Sequence, residues 1–428
     1  MVPHRPQIDG LADRLFREEA GRLTAVLTRL FGFSESDLIE DIVQDAFLAA
    51  LKTWRIKGVP DNPPAWLMQV AKNRALNELK RNQKSLPFGS EALPAGSGNG
   101  REVDMDRFFL DDEIRDSRLR LIFACCDPGL PSKSRIILSL RTLCGFGIQE
   151  IASALVMKSE AVKKNLYRAR RELKKRGELP VVPLKKRAAE RMSDVLKVVY
   201  LLFNEGYQSS TGPNLIREEL CLEAIRLAKE LLGLPPAFRG EVHALLSLFF
   251  FSMSRFDARE SPAGDILDLE EQDRSLWDQT LIRIAFSHLR QSRTSEKVGR
   301  YHLEASVSSI HAASETIVET DWKTIVYYYN RLIRFDGSPV TQISRAIAIG
   351  HAEGADYGLD TLNNLERSGQ FVENHIYHAA KGYLFSRRGD FESAMDHYKR
   401  AMALTDSARE RRYFEERVSV SRKKMDRI

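Results

Sequence analysis

The chain has 428 residues, 65 Lys and Arg against 59 Asp and Glu, and 43% hydrophobic residues, enough for two to four domains with sizeable cores. No apolar run approaches the roughly 18 to 20 residues of a membrane span, and MVPHRPQIDG lacks the apolar core of a signal peptide, so the expected location is the cytoplasm. Cys125, Cys126, Cys144 and Cys221 have no histidine close in sequence and no familiar zinc spacing, which points to buried thiols and to no metal or other cofactor.

From Leu11 to Phe31, the positions of Leu15, Phe16, Leu23, Val26, Leu27 and Leu30 predict an amphipathic helix that stops near Gly32. A second helix opens around Asp37 and Glu40. Its face is broadly apolar, with Asp41, Gln44 and Asp45 left as a narrow acidic edge. On the plain view this is an ordinary core helix with a solvated side, and the pattern alone does not exclude that. The loop RIKGVPDNPP follows, its prolines excluding helix until Pro64. In the next helix Trp66, Leu67, Val70, Ala71, Leu76 and Leu79 form the buried side. Lys72, Asn73, Arg74, Asn77, Lys80, Arg81 and Lys84 form the exposed one. Cations mixed with amides can hold phosphates and also hydrogen-bond base edges, whereas Lys and Arg alone would supply only charge.

Ser85 to Asp112 is rich in Gly, Ser and Pro without helical periodicity and reads as a linker. Two helices, Arg115 to Cys126 and Pro131 to Cys144, lead to the stretch from Gly147 to Arg176. There Ile148, Ile151, Ala152 and Leu155 make one short stripe. Ser159 is the expected N-cap of a second helix, Glu160 suits the positive end of its dipole, and Val162, Leu166, Ala169 and Leu173 are its buried side. Between Lys158 and Arg176 nine cations face two acids, a net +7 in a chain whose total is +6. The basicity therefore belongs to one surface. Two short helices, the second basic outside, spell helix-turn-helix, with Lys163, Lys164 and Arg168 toward bases or phosphates. A merely solvated basic helix end is the plainer reading of the charge alone.

After the Pro-bounded basic hinge GELPVVPLKKRAAER, every periodic run reads as helix. In HAAKGYLFSRRGDFESAMDHYKRAMALT, Gly382, Phe385, Ala394, Tyr398 and Ala401 occupy the packing positions of a tetratricopeptide repeat, with Gly389 and Asp390 at the turn. VTQISRAIAIGHAEGADYGLDTLNNLE, some 36 residues earlier, is a weaker copy. Asp273, Arg274, Trp277, Asp278, Tyr301, His302, His311, Asp321 and Trp322 are compatible with a ligand or peptide groove. They are also compatible with core tryptophans and helix-bridging polar groups, the ordinary reading.

The strings LFREEAGRLTAVLTRL, DIVQDAFLAALKTW, PPAWLMQVAKNRALNELKR and LPSKSRIILSLRTLCGFGIQEIASALVMKSEAVKKNLYRARRELKK, in this order, resemble an RNA polymerase sigma factor of the sigma-70 family, extracytoplasmic-function (ECF) group. YLLFNEG, LCLEAIRLAKELL, EEQDRSLWD, YHLEASVSSIHA, TDW and SPV further resemble the subgroup with a tetratricopeptide-like extension. The resemblance implies an all-α chain: region 2 over 8–84, a flexible linker over 85–112, region 4 over 113–177, a hinge over 178–191 and a helical regulatory domain over 192–428. It implies that Asp41, Gln44 and Asp45 dock on the β′ clamp helices of core polymerase, with the β flap a second contact. Trp66, Lys72, Asn73, Arg74, Asn77, Lys80 and Arg81 would meet the −10 element, with the loop from Arg55 to Pro63 near a flipped base. Ser159, Lys163, Lys164, Asn165, Arg168, Arg170 and Arg171 would meet the −35 element. Promoter DNA and core polymerase are the implied partners, with an intramolecular contact between the extension and the sigma domains, and no membrane. GFGIQEIA departs from the family in lacking a Ser or Thr cap, and Lys163 and Lys164 stand where many relatives have Arg and Ser, so the −35 preference does not transfer. A polymerase-independent helix-turn-helix regulator with a repeat-based sensor is the alternative; it leaves the region 2 strings unexplained. No nucleophile elbow, phosphate-binding glycine loop or metal spacing suggests an enzyme.

Overall fold

The computed structural model describes residues 5–85, 111–175, 184–208 and 215–427, apart from 128, 156, 235, 263, 296, 336, 368–373 and 406. Among these residues the regular elements are helices, with one isolated bridge between Glu260 and Ile266. The chain forms two compact units, 1–235 and 236–428. The predicted linker from Ser85 to Asp112 lies almost wholly outside the described residues.

In the first unit α1 (Arg5–Phe31), α2 (Ser36–Lys57) and α3 (Pro63–Ser85) enclose Leu15, Leu23, Leu27, Ile39, Phe47, Trp54 and Leu67. Full burial of side chains of this size is worth about 1.5–3 kcal/mol each, which is what holds α2 by its apolar side. α2 stops at Gly58, whose φ of 83° suits glycine and whose N–H caps Trp54 O. Asn62 Oδ1 then accepts the Ala65 N–H at 3.1 Å and starts α3.

The second half of this unit contains α4 (Asp111–Cys125), α5 (Ser132–Cys144), α6 (Ile148–Ala154), α7 (Ser159–Lys174), α8 (Leu184–Tyr207) and α9 (Glu218–Leu231). α1 packs on α4 and α5 as well as on α2 and α3. Gly21 permits the approach, because a Cβ there would lie 1.9 Å from Leu143 O. α8 packs on α4 and α5, α9 packs on α8 and α4, and buried arginines tie these helices and α6 together. Arg118 pairs with Glu223 and with Glu230 at 2.9 Å, Arg191 with Asp127 at 2.9 Å, and Arg217 with Glu150 at 2.9 Å. The four cysteines are buried free thiols, and burial pushes the Cys126 thiol up to about 12.

The second unit is a run of helix pairs: α10 (Pro236–Met253) with α11 (Gln279–Gln291), α12 (Arg300–Ala313) with α13 (Trp322–Leu332), α14 (Pro339–Ala352) with α15 (Ala355–Arg367), and α16 (His375–Arg388) with α17 (Phe391–Leu404). α18 (Ala408–Met425) closes it. α14 and α16 start 36 residues apart, as do α15 and α17, so the weaker copy read in the sequence is the preceding repeat. Small residues set the contacts: a Cβ on Gly382 would meet the Tyr398 ring at 2.9 Å, and one on Gly358 would meet Ala346 O at 2.9 Å. Tyr377, Leu384, Leu359 and Leu362 fill one core cluster, and Tyr398 and Phe414 the next. Each pair leaves an apolar side that only its neighbour covers, which is how repeats of this kind reach stability.

Candidate nucleic-acid interface

α7 is built as its stripe requires: Val162, Leu166, Ala169 and Leu173 are buried, and Lys163, Lys164, Arg168 and Arg171 are exposed. The first helix of the motif, α6, is fixed by Glu150, whose Oε2 takes the Gly147 N–H at 2.7 Å, the Glu half of a capping box without its Ser or Thr half. The cap of α7 is a correction. Its N-cap is Lys158, without a side-chain cap bond, and Ser159 is the first helical residue. The Ser159 hydroxyl instead donates to Gln149 Oε1 at 2.7 Å, tying the two helices of the motif together.

Two further candidates are engaged within the fold. The Asn165 amide donates to Ala161 O at 2.8 Å and accepts from the Ser134 hydroxyl at 3.2 Å. Arg170 turns inward to Glu40 of α2, and Lys174 one turn later pairs with Asp37 at 2.9 Å. Glu40 also has Arg141 Nε at 3.9 Å. The basic helix therefore has an outer side carrying Lys163, which pairs with Glu160 at 2.7 Å, and Lys164, Arg168 and Arg171, and a held side clasped by the acidic start of α2. Sequence reasoning missed Tyr167, 68% exposed between these cations. Its signal was helical spacing alone: Lys163, Lys164, Tyr167, Arg168 and Arg171 fall on one face.

On α3, Asn73, Asn77 and Arg81 are exposed, Lys72 and Arg74 are half-buried, and Trp66 is half-buried with its ring 5.5 Å from that of Trp54. Lys80 lies in the helix, and its side chain is outside the described residues. Asn73 Oδ1 accepts from Gln69 at 3.1 Å, and Arg81 has Glu78 at 3.0 Å. Arg74 pairs with Asp45 of α2, so one candidate for DNA and one for polymerase are joined to each other. Asp41 and Gln44 remain exposed. Leu48, 51% exposed, extends their stripe by one turn, and the sequence reading passed over it.

The polar and aromatic group of the second unit serves structure. Asp273, Asp278 and Asp321 are side-chain N-caps. Trp277 is buried, with the guanidinium groups of Arg255 and Arg274 5.3 and 5.1 Å from its ring centroid. His302 Nδ1 accepts the Gly299 N–H at 3.1 Å, and Tyr301 is a core residue. His311 meets Trp322 edge-on, and Trp322 stacks on His351 at 3.8 Å. Burial pushes the His311 imidazole down to about 3, so it is neutral at physiological pH. Among the described residues no group of three or more His, Cys, Asp and Glu could hold a metal ion, and no helix is long and apolar enough to cross a membrane.

A helix-turn-helix with a basic outer face, joined to a three-helix body with an amide-and-cation face and an acidic edge, defines a sigma factor. A model of sigma-70 region 2 matches residues 15–85, a model of sigma-70 region 4 matches 121–173, and a family of unknown function, DUF6596, matches 191–293. The chain belongs to the sigma-70 family of RNA polymerase sigma factors, in the ECF group, and carries a C-terminal helical extension. It is 34% identical over 384 residues to an uncharacterized protein of Rhizobium meliloti (strain 1021), covering 89% of each chain. It is 25% identical over 142 residues to the ECF RNA polymerase sigma factor SigX of Bacillus subtilis (strain 168), covering 33% of this chain and 71% of that one. A probable RNA polymerase sigma factor of Haemophilus influenzae is 25% identical over 152 residues, covering 33% and 77%. No solved structure matches the chain.

Proposed function

We propose that the chain binds core RNA polymerase through the Asp41, Gln44 and Leu48 strip of α2 and directs promoter-specific initiation. On this reading α3 meets the −10 element and opens it, while α7 meets the −35 element. The polymerase supplies the bond chemistry, and this chain supplies recruitment, base capture and strand separation. Stacking and hydrogen bonds to extruded bases return about 1–3 kcal/mol per base, comparable to the cost of unstacking them.

The observation that carries the proposal is the division of the polar surface. α2 exposes a short acidic and apolar strip, α3 exposes amides with cations, and α7 exposes cations with a tyrosine. The two promoter elements, 25 base pairs apart by their names, are separated by about 85 Å of duplex. α7 held on α2 by Arg170 and Lys174, with α1 packed on α4 and α5, is thus a closed arrangement, and simultaneous reading requires both contacts to part. The 25 residues between α3 and α4 supply at most about 85–90 Å of chain. The regulatory role belongs on this reading to residues 236–428, which adjust how readily polymerase or promoter is engaged.

Core polymerase is pulled down with the wild-type chain and with Asp41→Arg, and transcript starts are mapped with purified components. Retention by wild type, loss in Asp41→Arg and starts at one class of promoter are expected. Undiminished retention by Asp41→Arg, with folding verified, removes the α2 assignment. Truncation after Pro235 leaves the first unit entire; unchanged output from it, in cells and in vitro, removes the regulatory role.

A further inference from the structure

Between α10 and α11 the chain runs 25 residues, Ser254 to Asp278. This connection holds two short 3-10 turns, Phe256–Ala258 and Arg274–Leu276, and the Glu260–Ile266 bridge, and connections this long inside a packed domain are uncommon. Its composition is lopsided: residues 256–278 hold eight carboxylates against Arg259 and Arg274.

This strap lies along one row of helices. At one end Arg274 donates to His311 O at 2.9 Å on α12. Glu270 takes the Tyr383 hydroxyl and Arg387 of α16, both at 2.5 Å, with His351 Nε2 of α14 3.6 Å away. On α18, Tyr413 donates to Asp268 at 2.7 Å, Arg417 pairs with Glu271 and lies 3.2 Å from Asp268, and Arg409 lies 3.3 Å from Glu260. α12, α14 and α16 are the first helices of successive pairs and α18 follows in the same place. In a helix-pair solenoid that row lines the concave wall, the surface such proteins use for extended partners. α18 adds seven cations against three acids.

The strap is anchored at both ends, by Trp277 on one side and by buried Ala258 and Arg259 on the other, and its middle is held by its rim. Trp277 is buried between two guanidinium groups, whereas Glu270, Glu271 and Arg387 keep 31, 39 and 36% of their side-chain surface exposed. Pairs this exposed are individually weak and screened by salt. The middle of the strap can therefore leave while its two anchors stay.

We propose that the row formed by α14, α16 and α18 is a docking groove for an extended acidic peptide segment of a partner protein, and that the strap is its resident occupant, which such a segment displaces. Alternating carboxylates meet tyrosine hydroxyls and arginines there, the chemistry of a clamp for Asp and Glu side chains. The tyrosine hydroxyls set the positions of the carboxylates, so the groove distinguishes an ordered acidic segment from diffuse negative charge.

The probe is a fluorescent peptide of residues 256–278, added to the full-length wild type and to Asp268→Asn/Glu270→Gln/Glu271→Gln and followed by anisotropy. The triple variant is expected to bind at least about tenfold more tightly than wild type, and to lose that binding when Arg417→Glu is added. Equal binding by wild type and triple variant, or survival of binding in Arg417→Glu, overturns the proposal. So does equal binding of a scrambled peptide of the same composition, or stronger competition by a short DNA duplex than by the peptide. Should the triple variant fail to fold, hydrogen exchange on the wild type decides. Strap amides from Glu260 to Gln272 are expected to exchange faster at millimolar peptide while those around Trp277 do not. Unchanged strap exchange overturns the proposal.

Discussion

Neutralising the two acids that clasp α7 tests the closed arrangement directly. In Asp37→Asn/Glu40→Gln, Arg170 and Lys174 lose their partners. Asp37 is largely exposed and Lys174 half-buried, so that pair contributes about 0.2–0.5 kcal/mol. Arg170 and Glu40 retain 22 and 33% of their side-chain surface, which places their pair near the upper end for surface pairs, about 1 kcal/mol. Together they favour closure by roughly 1–1.5 kcal/mol, about a tenfold shift toward release when lost. Two freed cations engaging two phosphates steepen the slope of log affinity against log salt by about 1.8. Asp37 is held below the ordinary carboxylate value, chiefly by the hydrogen bond from Lys174. A depressed value means its contribution is present above the unfolded carboxylate range and is lost only as pH falls through the folded value, so salt and not mild pH change is the useful variable. The assay is anisotropy of a labelled duplex titrated with the full-length chain between 50 and about 300 mM salt; any duplex sequence serves, because this component of binding is sequence-independent. The control, Glu392→Gln/Asp396→Asn on α17, makes the same change in net charge elsewhere. A rise in affinity equal to that of the control, or an unchanged salt slope, refutes the clasp.

Three further outcomes follow from particular contacts. Arg118→Met leaves Glu230 without its ion pair and Glu223 with Arg226 alone in a buried site, and should cost about 3 kcal/mol at pH 8. Burial already holds Glu230 above the ordinary carboxylate value against the pull of Arg118, so the folded state takes up the proton more readily than the unfolded one and the loss should shrink at pH 5; a loss independent of pH in denaturant melts would refute this. Gly21→Ala drives a methyl into Leu143 O and should destabilise the α1 to α5 contact by at least about 1–3 kcal/mol; hydrogen exchange of α5 equal to wild type would refute it. Lys163→Ala should relax preference at one position of the −35 element by about 1–3 kcal/mol, whereas Arg171→Ala should weaken all promoters alike; equal loss on every promoter from both changes counts against base readout by Lys163.

Local pattern reached far in this chain, and its limit is set by sequence distance. Val162, Leu166, Ala169 and Leu173 were legible as the buried side of α7 because helical spacing is a property of neighbours. The 36-residue period of the repeats was legible for the same reason. The partners of Arg170 and Asn165 were not: Glu40 lies 130 residues away and Ser134 lies 31 away, and nothing in the helix itself marks which of its cations is already engaged. Ser159 failed as a cap because the helix begins one residue earlier than read: Lys158 holds the extended N-cap backbone and Ser159 is already in the first turn. Leu48 and Tyr167 could have been found by projecting α2 and α7 onto a helical wheel, since each extends a polar face. Asp273, Asp278 and Asp321 stood out as candidate ligands because N-cap residues and ligand residues draw on the same side chains, and only geometry separates the two.

The two units share a device. A basic surface is covered by acids of the same chain, Asp37 and Glu40 over the held side of α7 and the strap over α16 and α18. A tethered competitor acts at an effective concentration of about 1 mM, so even pairs near 1 kcal/mol lower the apparent affinity of any ligand making only the same contacts. A partner must then bring contacts the tethered acids lack: base edges and phosphates along the outer side of α7, or backbone and side chains beyond the reach of the strap. Generic polyanions gain least from such surfaces, since they offer charge alone, and the covering acids thereby convert an otherwise indiscriminate basicity into selectivity.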